Sequence, residues 1–332
     1  VRVEALPIGL SIAGANQSAR CGEVCVDFQV YEIAFCVFSP ILDDRDESVR
    51  TSRTGSSEEQ PEPRKCEAGA TRPDRIMSIS DDFPAPGYEE IGVGYTTTRR
   101  ADPRIAEQIH AALGDAASVV NVGAGAGAYE PCDRKVLPIE PSRRMIAQRS
   151  PELAAAIRGY AECLPLPSGC VDAAMACMSL HHWPDWRIGV QELRRVARKR
   201  VVIFTYDPCY SSRFWLMRDY LPRLGRLDSS RFPVLEEQSA ALGEDVRVEP
   251  VPIACDCEDG FLAAYWRRPR AYLDVEVRAG MSTFHLPGAQ HTLGGLDELA
   301  GDLDSGRWEY RYHDLLELEQ IDLGYRLLVT EL

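Results

Sequence analysis

From Asp102 onward the apolar positions of the chain become periodic. Asp102 followed by Pro103 is an N-cap with proline in the first helical turn. Ile105, Ile109, Ala112 and Leu113 then share one helical face up to Gly114. Ser118–Val122 is a β-branched run and predicts a first strand. Val136–Ile139, Ala155–Arg158, Val171–Met178 and Arg200–Thr205 predict four more. Between them Ser142–Arg149 reads as a short helix. Gly189–Arg198 reads as a longer one with Val190, Leu193 and Val196 on one face. Val246–Ile253 and Leu323–Val329 close the series as two further strands. Strands alternating with helices imply an α/β fold whose parallel-rich sheet is covered on both faces.

The first third of the chain lacks this order. Residues 43–75 are charged, rich in Ser, Pro and Gly, and almost free of large apolar side chains. Such a segment buries too little surface to offset its ordering entropy and is expected to be disordered. The preceding 42 residues show brief alternation at Val26, Phe28 and Val30, too little for a domain. The first methionine is Met77, where globular-looking sequence begins. Residues 1–76 therefore read as a dispensable upstream extension or as a regulatory tail. The division taken is 1–82 as N-terminal extension and 83–332 as the folded domain.

Composition narrows the partners. A formal net charge of −14 over 332 residues repels phosphate backbones and argues against a nucleic-acid substrate. No run approaches the ~18 uninterrupted apolar residues of a membrane span. Val24–Leu42 comes nearest and is broken by Asp27 and Glu32. With no secretory signal, a cytoplasmic protein without membrane partners is expected. The 11 cysteines include no CxxC pair, and Cys255-Asp-Cys257 alone is a weak metal pattern. Buried free thiols and no metal are expected.

The chemistry begins where the first strand ends, in the text GAGAGA. Gly123, Gly125 and Gly127 leave the carboxyl end of that strand, the ligand edge of an open α/β sheet. The text satisfies G-x-G-x-x-A, the dinucleotide fingerprint, which works through a helix N-terminus that receives a pyrophosphate. Here Pro131 cuts the following helix short, so a pyrophosphate would be poorly anchored. A cofactor without phosphate, such as S-adenosylmethionine, is not handicapped. Glu140 ends the second strand, where a carboxylate can take both ribose hydroxyls.

Glu140 followed by Pro-Ser, "AECLPLPSGCVDAAM", and "SLHHWPD" with its following helix complete a recognisable set. From about Phe83 to Leu332 the chain resembles the class I S-adenosylmethionine-dependent methyltransferases, in particular their "type 11" small-molecule branch. The placement of its late segment is similar to that of trans-aconitate methyltransferase relatives. The resemblance implies a Rossmann-like seven-stranded sheet with helices on both faces and an antiparallel last strand. It places S-adenosylmethionine across the carboxyl ends of the strands. Gly123, Ala124, Gly125 and Gly127 would line its methionyl part and Glu140 its ribose, with Pro141 also among the cofactor-binding residues. Ala161 and Glu162 would lie beside the adenine, with Met178 and Ser179 beneath the cofactor. The chain departs from the family at Asn121, where most relatives carry an acid, and at Tyr160, where an Asp often reaches the adenine amine.

The residues suggest further roles. In "GVGYTTTRRADPR", Arg99 or Arg100 can fork onto the methionyl carboxylate with Tyr95 packed nearby; a solvated Arg pair is the plain alternative. His181 and His182 follow the fourth strand, and His182 is taken as the general base, against simple loop packing near Trp183 and Trp186. Tyr206 and Asp207 follow the fifth strand and either act chemically or form a turn closed by Pro208. Residues 256–320 are rich in aromatics and read as a helical cap over an acceptor pocket, or as added core. "AAYWRRPRAYL" can pair with an anionic acceptor or with neighbouring acids. The expected activity is methyl transfer from S-adenosylmethionine to a small-molecule acceptor by in-line displacement. A non-catalytic cofactor-binding partner protein and an NAD-dependent oxidoreductase are the alternatives. The sequence leaves the oligomeric state open.

Overall fold

Adjacent valines of the first strand face opposite ways and are both fully buried. In β1 (Ser118–Val122), Val119 packs with Ile105, Ile109 and Leu113, while Val120 packs with Val190 and Leu193 on the other face. These contacts come from a computed structural model that describes residues 95–332. The expectations for the extension 1–82, and for residues 83–94, lie outside the described residues.

Two short helices precede the sheet, α1 (Tyr95–Thr98) and α2 (Pro103–Ala112). Asp102 caps α2 by accepting from the Arg104 N–H at 3.0 Å, as the Asp-Pro pair predicts. Then come β2 (Lys135–Ile139), α3 (Arg143–Ile146), β3 (Val171–Cys177), α4 (Trp186–Val196) and β4 (Ala197–Tyr206). A π-turn at Leu216–Tyr220 leads into α5 (Pro222–Ser229) and α6 (Leu235–Leu242). After β5 (Val246–Pro250) and β6 (Ile253–Ala254) a helical stretch intervenes. It holds α7 (Val275–Ala279), α8 (Gly295–Asp304), α9 (Arg307–Arg311) and α10 (His313–Leu316). The chain finishes with β7 (Gln320–Ile321) and β8 (Tyr325–Glu331).

The main sheet has the order β2-β1-β3-β4-β8-β5. Pairs among β1, β2, β3 and β4 are parallel, and β8 runs antiparallel between β4 and β5. Because β2 and β3 flank β1 on opposite sides, the crossovers leave β1 in opposite directions. A crevice opens at that switch point. Alternate residues of β3 and β4 separate the two cores: Met175 and Phe204 face α2, Ala174 and Ile203 face α4.

The expected seventh strand, Ala155–Arg158, is not formed. Six strands make the main sheet, and this segment touches it through one parallel bridge, Ile139 with Ile157. The cause is Pro138. Its carbonyl accepts from the Ile157 N–H at 2.9 Å, but it has no N–H to give Ala155. Pairing therefore runs only forward, through the Glu140 N–H on the Ile157 carbonyl at 3.0 Å. That remnant fixes the backbone of Glu140 at the ligand edge.

Candidate active site

No helix follows β1. Gly123, Gly125, Gly127 and Tyr129 alternate at φ of 72°, 53°, 96° and 66°, a left-handed rhythm that α-helix cannot accommodate. The shortened helix expected before Pro131 is thus replaced by turns. At Gly123 a Cβ would stand 2.6 Å from the Ser179 Cβ, so only glycine lets this loop close on the end of β3. Ser179 in turn donates to the Val122 carbonyl at 3.1 Å.

The loop and the strand ends enclose a cleft of about 920 Å³, open to solvent. Glu140 sits at its edge, 5 % exposed, accepting from the Gly125 N–H at 2.7 Å and the Ser142 N–H at 2.9 Å. Gly123, Ala124 and Gly125 form one wall with Pro141; Ala161 and Glu162 form another. Met178 and Ser179 lie at the end of β3 below them. Tyr95, Arg99 and His182 complete the enclosure. Gly127 and Arg100 do not line this cleft, and Arg100 is exposed.

Two ionic clusters, neither legible in the sequence, brace the cleft. Glu130 accepts from both Arg149 Nη atoms at 3.1 and 2.7 Å and from Asn121 Nδ2 at 3.0 Å. That leaves Asn121 Oδ1, also in the cleft wall, buried and without a hydrogen-bond partner. Asp259, 1 % exposed, accepts from Arg99 Nε at 2.6 Å, from the Tyr129 hydroxyl at 2.7 Å and from the Gly260 N–H at 2.7 Å. Burial and the Asp259 carboxylate push the Tyr129 phenol well above its usual range, so it stays a donor. The second cluster joins residues 160 apart and left no local signal.

A second cleft, also open to solvent, adjoins the first, and Arg99 and Met178 line both. Met178 holds a left-handed φ of 49° while its N–H donates to the Phe204 carbonyl at 2.7 Å. For a residue with a side chain this is a strained conformation, and it stands at the junction of the two cavities. Rings of Tyr206, Phe232, Phe261 and Tyr325 wall the second cleft. The three arginines of "AAYWRRPRAYL" do not line it. Arg267 and Arg268 donate to backbone carbonyls, and Arg270 pairs with Asp304.

The two histidines separate. His181 lines the second cleft and stacks on Phe232 with centroids 4.1 Å apart, while His182 lines the first. Burial, with the positive charges of Arg231 and Arg99, lowers the His182 imidazole to about 3. His181 is lowered in the same direction by burial, its neighbour and the same arginines. Both are neutral at physiological pH. Such a histidine binds protons in the unfolded chain that the folded chain rejects, so its contribution is present above about pH 6.5 and is lost as pH falls toward about 3. Urea midpoints should therefore fall between pH 7 and about pH 4.5, and His182→Gln should flatten part of that fall. An unchanged pH slope in the variant would contradict the assignment.

With this geometry in hand, a family profile described as a methyltransferase domain matches residues 120–205, the span from β1 to the end of β4. A solved structure described as a methyltransferase from an antibiotic biosynthesis pathway of Anabaena variabilis is 35% identical. The alignment covers 70% of this chain and 99% of that one, with a TM-score of 0.65. The chain belongs to the class I S-adenosylmethionine-dependent methyltransferases. A methyltransferase from Thermotoga maritima is 21% identical over 50% of this chain and 84% of its own, at a TM-score of 0.41. Geranyl diphosphate C-methyltransferase from Streptomyces coelicolor is 15% identical over 68% and 74%, at 0.39. No curated protein matches the sequence.

S-adenosylmethionine is the cofactor of this family, and the first cleft fits it on its own chemistry. Asn121 Oδ1 is an orphaned buried acceptor suited to an ammonium group. The cradle at Gly123 is one that a Cβ would fill. Glu140 is a buried carboxylate at the cleft edge, suited to vicinal hydroxyls. Among the described residues no helix is long and apolar enough to cross a membrane.

Proposed function

We propose that this methyltransferase-family protein methylates a small-molecule acceptor seated in the second cleft. The observation that carries the reading is the meeting of two cavities at Met178 and Arg99, one suited to the cofactor and one walled by aromatic rings. The cofactor, when bound, supplies a methyl group on a sulfonium for in-line displacement.

In this reading Glu140 holds the ribose, and Ala161 and Glu162 flank the adenine. Gly123, Ala124 and Gly125 line the amino-acid part, Asn121 Oδ1 accepts from its ammonium, and Arg99 faces its carboxylate. The helical stretch 256–320 serves as the cap, because Phe261, Met281 and Thr283 line the second cleft. Alignment of acceptor and methyl donor is the main catalytic contribution, with effective molarities of about 10⁵ M or more available from positioning alone. His182, proposed as base from sequence, is neutral and weakly basic, and it lines the cofactor side. It is better suited to packing than to proton abstraction.

The test is incubation with methyl-labelled S-adenosylmethionine and separate low-mass, protein and nucleic-acid fractions of cell extract. Label is expected in the low-mass fraction. Label only in a macromolecular fraction, or cofactor binding with no transfer to any fraction, would contradict the proposal.

A further inference from the structure

We infer that Asp228 is the polar anchor of the second cleft, and that the acceptor is a flat aromatic molecule presenting a neutral hydroxyl or amino donor to it. The inference rests on the reading of that cleft as the acceptor site. Asp228 belongs to α5, which the π-turn before it carries over the cavity; it is 6 % exposed and lines the cleft. A carboxylate buried to that degree is costly unless its lone pairs are met.

The chain meets only one side of it. Both Arg231 Nη2 and the Thr283 hydroxyl donate to Oδ1, the latter at 2.9 Å. No side chain or backbone N–H among the described residues donates to Oδ2, which is left for an occupant of the cavity. The surfaces around it are rings, with Tyr206 and Phe232 edge-on to one another at 5.1 Å and Phe261 against Tyr325 at 4.7 Å. Such walls accept a flat apolar body, and Oδ2 is the charged acceptor among them that can fix its orientation.

Charge sharpens the class. Neither guanidinium of the cavity wall is left to the acceptor: Arg231 pairs with Asp228, and Arg99 pairs with Asp259 and faces the cofactor's carboxylate in the reading above. An acceptor carrying its own carboxylate or phosphate would meet the open oxygen of Asp228 and be repelled. A hydroxyl or amine would complete that oxygen's shell.

Three matched probes test this on the full chain in the presence of S-adenosylhomocysteine: 2-naphthol, 2-methoxynaphthalene and 2-naphthoate, with binding read by ligand-observed NMR. The wild type should bind 2-naphthol about tenfold more tightly than its methyl ether, the worth of one hydrogen bond to a charged group. It should bind 2-naphthoate most weakly. Asp228→Asn keeps an acceptor for Thr283 and turns an amide N–H₂ toward the cavity, so the preference should vanish or invert toward the ether. Equal binding of naphthol and ether by the wild type, an unchanged ratio in Asp228→Asn, or no binding of any probe would overturn the inference. The wild-type ratio decides even if the variant fails to fold. Titration of S-adenosylhomocysteine into the same sample separates the two levels: failure there overturns the functional reading, whereas cofactor binding without donor preference overturns only the role of Asp228.

Discussion

Replacing Asp259 with alanine is expected to lower the unfolding midpoint by about 10 °C and to weaken S-adenosylmethionine binding. The first effect follows from burial. Asp259 is 1 % exposed, and its removal takes away the carboxylate to which the Arg99 guanidinium and the Tyr129 hydroxyl both donate. Breaking a buried pair from one side costs about 3–5 kcal/mol, and each kcal/mol moves the midpoint of a domain this size by about 2–4 °C. The second effect follows from position, because Arg99 and Tyr129 both line the cofactor cleft. Asp259→Asn keeps the acceptor and loses the charge, so an intermediate effect is expected. Thermal unfolding with calorimetric titration reads both quantities. A midpoint within about 2 °C of wild type would show that the cluster is not a brace.

The second large effect is expected at Glu140. Its carboxylate already orders the loop through the Gly125 N–H and the end of β2 through the Ser142 N–H. Glu140→Gln offers one acceptor and one donor, so the donor opposes either an N–H of the protein or a hydroxyl of the ribose. Hydrogen bonds to a charged group contribute about 1.5–3 kcal/mol, which corresponds to about a 10–100-fold rise in the dissociation constant for S-adenosylmethionine. Circular dichroism should be unchanged, since the sheet does not depend on this side chain. Unaltered cofactor affinity would remove Glu140 from the site.

Much of the scaffold was legible because hydrophobic periodicity sets it locally. The Asp102-Pro103 cap, the β-branched run of β1 and the Val190, Leu193, Val196 stripe each appear where the pattern puts them. The strand at residues 155–158 was misread because its fate is decided by a partner, Pro138, rather than by its own residues. Similarly, Pro131 pointed to a shortened helix, but the alternating left-handed residues through Tyr129 leave none. Of the candidate site, Gly123, Gly125, Glu140 and Met178 share one cleft because β1, β2 and β3 deliver them to the same edge of the sheet, and Ala161 joins them through the segment bridged to β2 at Ile157. Asp228, Asp259 and Glu130 were out of reach. Their roles arise from contacts made across the fold, and an isolated acid in a charged chain carries no mark of burial.

The most direct test of the account is a crystal structure with S-adenosylhomocysteine bound. The nucleoside sugar should hydrogen-bond Glu140, with the amino-acid end against Gly123–Gly125 and the sulfur facing the cavity shared at Met178. Density for the nucleoside in the ring-walled cavity, or at any site away from Glu140, would contradict it.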